Sequence, residues 1–575
     1  MNPAKKRILI VGGVAGGATC AARARRLCEA CEIVVFERGC HVSFANCGLP
    51  YFVGEVIDSE ASLLVATPEL FKGRFNIEVH TETEVTGINR QARRIEARNS
   101  GTGATRLEPY DALVLATGAQ PLRPPLPGIE LPGIYMLRTI PDSHKIKAAI
   151  ALASRALIVG GGFIGLEMAE NLAGLGLDVT LLEWADQLLP PLDPEMAGYA
   201  AERLQAHGVR VRLGEAVEAF ERLPHKGVRA RTSKGAVLDT DLVIMGVGVR
   251  PDSALARAAG LELGGSGGIR VDELMRTSDP SIWAVGDVVE VKNRITQEWQ
   301  HLPLAGPASR QGRVAATAIL HQFNCNDHST PPLAFEGVLG TAVCEVFGLT
   351  VAATGASEKL LQRAGMDHQK VYLHPGHHAS YFPGAKPIHL KLLFSRADGR
   401  ILGAQAVGEA GVARRIDAIA TAMMTGATVF DLEDLELCYA PQFGAAKDPV
   451  NVAGMVAANH LRGDMPLASW DELETTEALL VDVRSEAEYA TGHITNALNL
   501  PLECLRDRLH ELPQDREIWL VCGVGQRAYY AFRLLMQNGL RVRVLSGGMR
   551  TYEARTQASE MPSPTKAQDE TSRQI

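Results

Sequence analysis

Aromatic side chains make up only 5% of the 575 residues, and no uninterrupted apolar run approaches the length of about 20 residues that a membrane-spanning helix needs. The pattern therefore excludes a bilayer partner for the chain. Basic residues are scattered and the net charge is -8, so there is no cationic stripe and nucleic acid is excluded as a partner. The ten cysteines fall at irregular spacings and do not supply a pair of CxxC units, which argues against a disulfide framework and against a zinc site. Thiols used in this way suit a reducing cytoplasm. What remains is 46% hydrophobic and 22% charged, the composition of an α/β enzyme, long enough for about three or four domains.

The opening "KKR" followed by "ILIVGGVAGGATCAA" imitates the charged and apolar regions of an export signal. A different pattern accounts for it better. "RILIVG" reads as a strand ending in glycine, "GGATCAARARRL" continues with helical spacing, and "EIVVFE" is a second strand ending in Glu37. From Arg155 to Glu183 the order recurs: strand, Gly-rich turn, helix and a strand ending in an acid. Two βαβ units of this kind imply two nucleotide sites.

In the first turn, Gly12, Gly16 and Gly17 leave backbone N–H groups free at a helix N-terminus, where the dipole favours pyrophosphate, although Val14 holds the middle position of GxGxxG. In the second, Gly160, Gly162 and Gly165 keep the full spacing, and Glu183 closes the next strand. A carboxylate there accepts hydrogen bonds from a ribose 2′-hydroxyl and repels a 2′-phosphate, which favours NADH over NADPH.

Strands that end at glycine follow in "DALVLATGAQP", "LVIMGVGVRPD" and "SIWAVGDVVEV". With these the chain resembles the pyridine nucleotide-disulfide oxidoreductase family. The resemblance implies an α/β fold of two Rossmann-like nucleotide-binding domains, an α+β dimerisation domain and, on the residues quoted below, a small α/β rhodanese domain. It places an FAD-binding domain at 1–154 and 245–330, an NAD(H)-binding domain at 155–244 and a dimerisation domain at 331–456. Glu37 would hold the FAD adenosine ribose and Asp287 the ribityl chain, with Thr117 and Gly118 also at FAD and Gly248 at NADH. In such a relay, hydride passes from NADH to flavin on one side and electrons reach an acceptor on the other.

The acceptor side centres on Cys47 in "HVSFANCGLPYF". No CxxxxC pair is present, and a Cys40–Cys47 redox pair is the weaker alternative. "SFANCGLPY" instead resembles the single-cysteine branch of the family, which includes CoA-disulfide reductases, NADH oxidases and NADH peroxidases. At a helix N-terminus facing a flavin, Cys47 is expected to have a depressed pKa and to be mostly thiolate at neutral pH. The peroxide-directed members resemble one another in a histidine on the helix after the first turn; here that helix carries Arg23, Arg25 and Arg26 instead. A solvated basic face is the bland explanation. The resemblance to CoA-disulfide reductase offers another: Arg23 and Arg26 hold CoA phosphates while Ser43 and Asn46 line the thiol channel. "CYAPQFGAAKDPVN" and "HHASYFPGA" carry the same resemblance further. They imply that Tyr439 and Tyr381 reach the active site across a homodimer interface, where a phenol donates a proton to the leaving thiolate; interface packing is the alternative role.

"LLVDVRSEAEYATGHITNALNLPL" followed by "LVCGVGQRA" resembles a rhodanese domain, placed at 466–555, with Asp482, Arg484 and His493 in its entry motifs. Cys522 opens a loop in which backbone N–H groups and Arg527 surround a sulfur, a cradle for a thiolate or anionic persulfide. The polar segment 556–575 is expected to be a disordered tail. Together these resemblances imply reduction of CoA disulfide, CoA persulfide or polysulfide by NADH, giving CoA thiol and hydrosulfide. FAD and coenzyme A would be the cofactors, and CoA thiols and sulfane sulfur donors the partners. Alternatives are an NADH oxidase or peroxidase working through a Cys47 sulfenate, and a sulfur carrier or sensor.

Overall fold

The computed structural model describes residues 5–325 and 333–560. Two compact units divide the chain, one formed by 1–181 and 217–340, the other by 182–216 and 341–575. The second unit thus takes residues 182–216 out of the middle of the segment expected to form the NAD(H) domain.

In the first unit, the stretch that imitates an export signal becomes strand Arg7–Val11 and helix Ala15–Leu27. The strand lies at the centre of a five-stranded parallel sheet in the order 282–284, 112–115, 7–11, 32–36, 78–80. Its residues Ile8, Leu9 and Ile10 are fully buried, as a strand covered on both faces requires. The second βαβ unit supplies parallel strands Arg155–Val159, Leu242–Met245 and Ile134–Tyr135, with helix Phe163–Gly174 after the Gly-rich turn.

The second unit holds two sheets. One is an antiparallel sheet in the order 342–346, 349–355, 401–408, 388–394, 369–373. The other is the parallel sheet of the rhodanese-like segment, in the order 467–468, 542–545, 518–521, 479–482, 498–499. They are fastened together. The Ser546 hydroxyl accepts from the Tyr372 amide at 2.8 Å and donates to its carbonyl at 3.0 Å, while Trp470 donates its indole N–H to the Ser546 carbonyl at 2.9 Å. Beneath this contact Lys391, fully buried, is ringed by Asp193, Glu195 and Glu358 at 2.6–2.8 Å, and Tyr372 donates its hydroxyl to Glu195. Helix Gly548–Glu560 runs through 560, into the segment expected to be a disordered tail; residues 561–575 lie outside the described residues.

Candidate active site

The first Gly-rich turn is shaped by steric necessity. Gly12 has φ +95°, and a Cβ on Gly17 would collide with the Gly12 carbonyl. Helix Ala15–Leu27 starts at Val14 without a capping side chain, so its first amides point out of the helix unclaimed by a cap. Glu37 is fixed at the end of its strand by the amides of Gly13 and Gly39, each at 2.9 Å. The turn is thus a backbone cradle with a positioned carboxylate, which fits a dinucleotide pyrophosphate and ribose. Thr117 donates to the Asp252 carbonyl at 2.7 Å and Gly118 adopts φ +74°.

The second turn repeats the construction. Gly160 has φ +110°, a Cβ on Gly165 would strike its carbonyl, and one on Gly162 would meet nothing within 4 Å. Helix Phe163–Gly174 also lacks a capping side chain, and Gly248 has φ +104°. Glu183 is buried and accepts from the Ala185 amide at 2.8 Å.

Cys47 lies in a short 3₁₀ turn, Asn46–Gly48, ahead of the five-residue helix Leu49–Val53. The segment carrying it is tied to the first Gly-rich turn, because the Ser43 amide donates to the Gly13 carbonyl at 2.9 Å and Ser43 takes φ +50°, a strained value for a residue with a side chain. Cys47 is exposed, and no disulfide joins any of the ten cysteines. Cys40 is engaged with His41 Nδ1 at 3.3 Å, not with Cys47.

The expected low pKa of Cys47 is not found. Burial of the sulfur side and the nearby carboxylates of Glu167 and Asp287 raise it above the usual thiol value, and Arg138 offsets them only in part. Burial is the larger cause and the two carboxylates the smaller, and the helix that follows Cys47 has only five residues. Sequence reasoning missed Glu167 altogether. It lies on helix Phe163–Gly174, where burial pushes its carboxyl up to about 7 despite a hydrogen bond from Tyr51 at 3.5 Å. An acid on the helix after a Gly-rich turn is the only signal the sequence offers for it. Arg138 reaches Asp287 at 3.6 Å.

The arginines of the first helix divide. Arg25 is buried, capping the carbonyls of Cys28, Glu29, Phe75 and Asn76, so it is neither a solvated charge nor a phosphate ligand. Arg23 is half-buried with its Nε unpartnered. Burial, Arg313 and Arg26 lower its pKa, which marks a cluster of three guanidinium groups.

In the second unit, Tyr381 and Tyr439 meet through their hydroxyls at 2.6 Å. Arg414 steadies the Tyr439 loop from the Cys438 and Phe443 carbonyls. Cys522 is buried, and its sulfur accepts from the amides of Gly525 at 3.2 Å and Ala528 at 3.3 Å. Arg527 is forked onto Glu488 at 2.6 and 2.7 Å, holding that carboxyl down at about 2. Asp482 and Arg484 form a buried pair, and His493 stacks on Tyr489 at 3.8 Å.

Known proteins share this arrangement. Residues 6–312 match the pyridine nucleotide-disulphide oxidoreductase family, 341–448 its dimerisation domain and 467–555 the rhodanese-like domain. The chain belongs to this family. It is an FAD-dependent, NAD(P)H-linked oxidoreductase of the disulfide-reducing type with a C-terminal rhodanese domain. A coenzyme A disulfide reductase of Staphylococcus haemolyticus is 35% identical over 79% of this chain and 99% of its own length. The crystal structure of reduced Bacillus anthracis CoADR-RHD is 44% identical and aligns with TM-score 0.91 over 96% of this chain and 98% of that one. A NAD-dependent persulfide reductase from A. fulgidus is 36% identical, with TM-score 0.87 over 95% and 100% of the two chains. No helix among the described residues is long and apolar enough to cross a membrane.

Proposed function

We propose that the protein is a cytoplasmic homodimeric reductase that uses NADH to reduce CoA disulfide, CoA persulfide or polysulfide through Cys47, releasing CoA thiol and hydrosulfide. The observation that carries this reading is the solitary state of Cys47, an exposed thiol bonded to none of the other nine. A cysteine without an internal resolving partner forms its mixed disulfide with a small thiol instead. The clustered Arg23, Arg26 and Arg313 suit the phosphates of such a thiol, with Ser43 and Asn46 along its path. The names of the staphylococcal and A. fulgidus relatives point to the same substrates.

Gly12, Gly16, Gly17, Glu37, Thr117, Gly118 and Asp287 would hold FAD, which when bound would supply the two-electron link between nicotinamide and sulfur. NADH sits on Gly160, Gly162, Gly165, Glu183 and Gly248. The Cys47 thiolate attacks one sulfur of the substrate, the substrate S–S bond breaks, and the departing sulfur takes up a proton. Attack on the outer sulfur of CoA persulfide releases CoA and leaves a Cys47 persulfide; attack on the inner one releases hydrosulfide and leaves a Cys47–CoA mixed disulfide. Glu167, with a carboxyl titrating at about 7, holds a proton near Cys47, and Tyr381 and Tyr439 donate to the leaving thiolate across the dimer interface. In the rhodanese domain, Cys522 loads or relays sulfane sulfur as a persulfide within its amide cradle, beside Arg527. Residues 1–154 and 245–330 serve FAD in this reading, 155–244 NADH, 331–456 dimerisation and 466–555 sulfur handling.

The test is a half-reaction experiment. NADH bleaches the bound FAD; CoA persulfide or CoA disulfide then reoxidises it rapidly and peroxide slowly. Rapid reoxidation by peroxide with none by the sulfur compounds would establish the oxidase or peroxidase alternative, and reoxidation by neither would leave a sulfur carrier. Higher catalytic efficiency with NADPH would overturn the role given to Glu183.

A further inference from the structure

Three thiols with no part in the proposed reaction meet at the end of the first helix. Helix Ala15–Leu27 stops at Cys28, and the chain re-enters the sheet through Cys31, next to strand Glu32–Phe36. Cys325 follows helix Ala305–Gln322, its amide bonded to the Leu320 carbonyl at 3.1 Å. The Cys31 sulfur lies 3.0 Å from that of Cys28 and 3.9 Å from that of Cys325, and all three lie within 4.8 Å of one another. Cys28 and Cys31 are 7% and 2% exposed, while Cys325 is half-buried and leaves a solvent approach.

We propose that Cys28, Cys31 and Cys325 together bind one thiophilic metal ion, Zn²⁺ or Cu⁺, as thiolates. Both ions choose soft sulfur donors. Zinc–sulfur bonds of about 2.3 Å set neighbouring ligand sulfurs about 3.8 Å apart. Cys31 and Cys325 already stand at that separation, and Cys28 reaches it by opening less than about 1 Å, within the range of a small side-chain rotation. A zinc ion completes its shell with water on the Cys325 side; Cu⁺ is satisfied by three sulfurs.

Charge supplies an independent reason. Arg25 is 5% exposed and spends its hydrogen bonds on four carbonyls, two of them, Cys28 and Glu29, in the loop that bears the first two thiols. Among the described residues it has no carboxylate within ion-pair distance. A buried guanidinium without a counter-charge is costly, and Lys6 adds positive potential at Cys325. Three thiolates around Zn²⁺ carry a net charge of one negative unit, the counter-charge this corner lacks. Binding releases the three thiol protons to solvent.

The ion would pin two helices at their far ends. Midway along it, helix Ala305–Gln322 presses Gly312 against the Gly16 carbonyl of the first Gly-rich turn, so the pinned pair is the one that frames the proposed flavin cradle.

Full-length, FAD-loaded protein carrying Cys47→Ser and Cys522→Ser, which removes the two reactive thiols from the count, is reduced, stripped with chelator and titrated. Zn²⁺ competes against a chromophoric chelator in one arm, and Cu⁺ against a Cu⁺-specific chelator without oxygen in the other. The expected result is about one tightly held equivalent per chain of one ion, lost in Cys28→Ser and in Cys325→Ser, with the flavin spectrum reporting the fold. X-ray absorption of the metal-loaded wild-type protein should show three sulfur neighbours at about 2.3 Å, a readout independent of any variant. Stoichiometric binding of neither ion, binding that survives both substitutions, or a sulfur count below three would each overturn the proposal.

Discussion

The phenolic oxygens of Tyr381 and Tyr439 stand 2.6 Å apart, joining two loops through a hydrogen bond between exposed side chains. The bond sets the position of each phenol against the other and raises the Tyr381 pKa. Tyr381→Phe and Tyr439→Phe are each expected to lower kcat for CoA disulfide on the order of a hundredfold, the scale of a lost general acid. The double variant should lose little more than either single one, because the pair acts as a unit. Steady-state kinetics, with sedimentation to show an unchanged assembly, checks this; fully additive losses would mean that the tyrosines work separately.

Cys47 is set to titrate above an ordinary thiol in the protein alone. Its alkylation rate, followed against pH, should rise at higher pH than that of a free cysteine. The sign follows from the neighbours: Glu167→Gln removes a like charge and moves the midpoint down, while Arg138→Met removes a cation and moves it up. A midpoint indifferent to both would show that the carboxylate and guanidinium do not act on the sulfur.

The two reactive sulfurs should be separable. Cys47→Ser is expected to abolish turnover with every sulfur substrate. Cys522→Ser should leave reduction of small CoA disulfides intact and impair only steps that relay sulfane sulfur. Equal loss from both, measured as NADH oxidation with each substrate, would show a different division of labour.

Lys391 neutralises three carboxylates from within the core of the second unit. Lys391→Met removes the ammonium that Asp193, Glu195 and Glu358 share, leaving Glu358 its ion pair with Lys370 at 2.6 Å, and we expect a loss of about 3–5 kcal/mol in denaturant unfolding. The acid limb carries a sign as well. Burial alone would raise Glu195 and Glu358, but Lys391 at Glu195, and His368, Lys391 and Lys370 together at Glu358, outweigh it and both are depressed. Their contribution is present above the ordinary carboxylate range and fades as pH falls. The variant should reverse this trend and gain stability on mild acidification, as its orphaned carboxylates protonate.

The Gly-rich turns can be tested by volume. Gly165→Ala drives a methyl group into the Gly160 carbonyl. It should raise KM for NADH while the flavin stays bound, whereas Gly17→Ala, striking the Gly12 carbonyl, should reduce FAD content itself. Absorbance ratios and NADH titrations distinguish the two.

What the sequence makes legible here is whatever rests on local spacing. Both phosphate turns follow from glycines a few residues apart, and the rhodanese loop from Cys522 and its following amides. Tyr381 and Tyr439 came from a resemblance, and their mutual hydrogen bond is invisible in a linear chain. The misses are all long-range. Glu167 acts on Cys47 from another βαβ unit, and its charge adds to burial in raising the thiol against the expectation. Arg25 looks like its neighbours Arg23 and Arg26 but turns inward, because the carbonyls of Phe75 and Asn76 await it. Cys325 joins Cys28 and Cys31 only after nearly three hundred intervening residues have folded.

The double hydrogen bond between Ser546 and Tyr372 has a consequence for sulfur traffic. Ser546 adjoins Gly547 and Gly548, and the following amide, that of Met549, is bonded to the Cys522 carbonyl at 2.8 Å. The backbone under the reactive sulfur is thereby moored to the dimerisation sheet in the same unit. A persulfide carried by Cys522, as proposed above, would therefore sit on backbone fixed to that sheet.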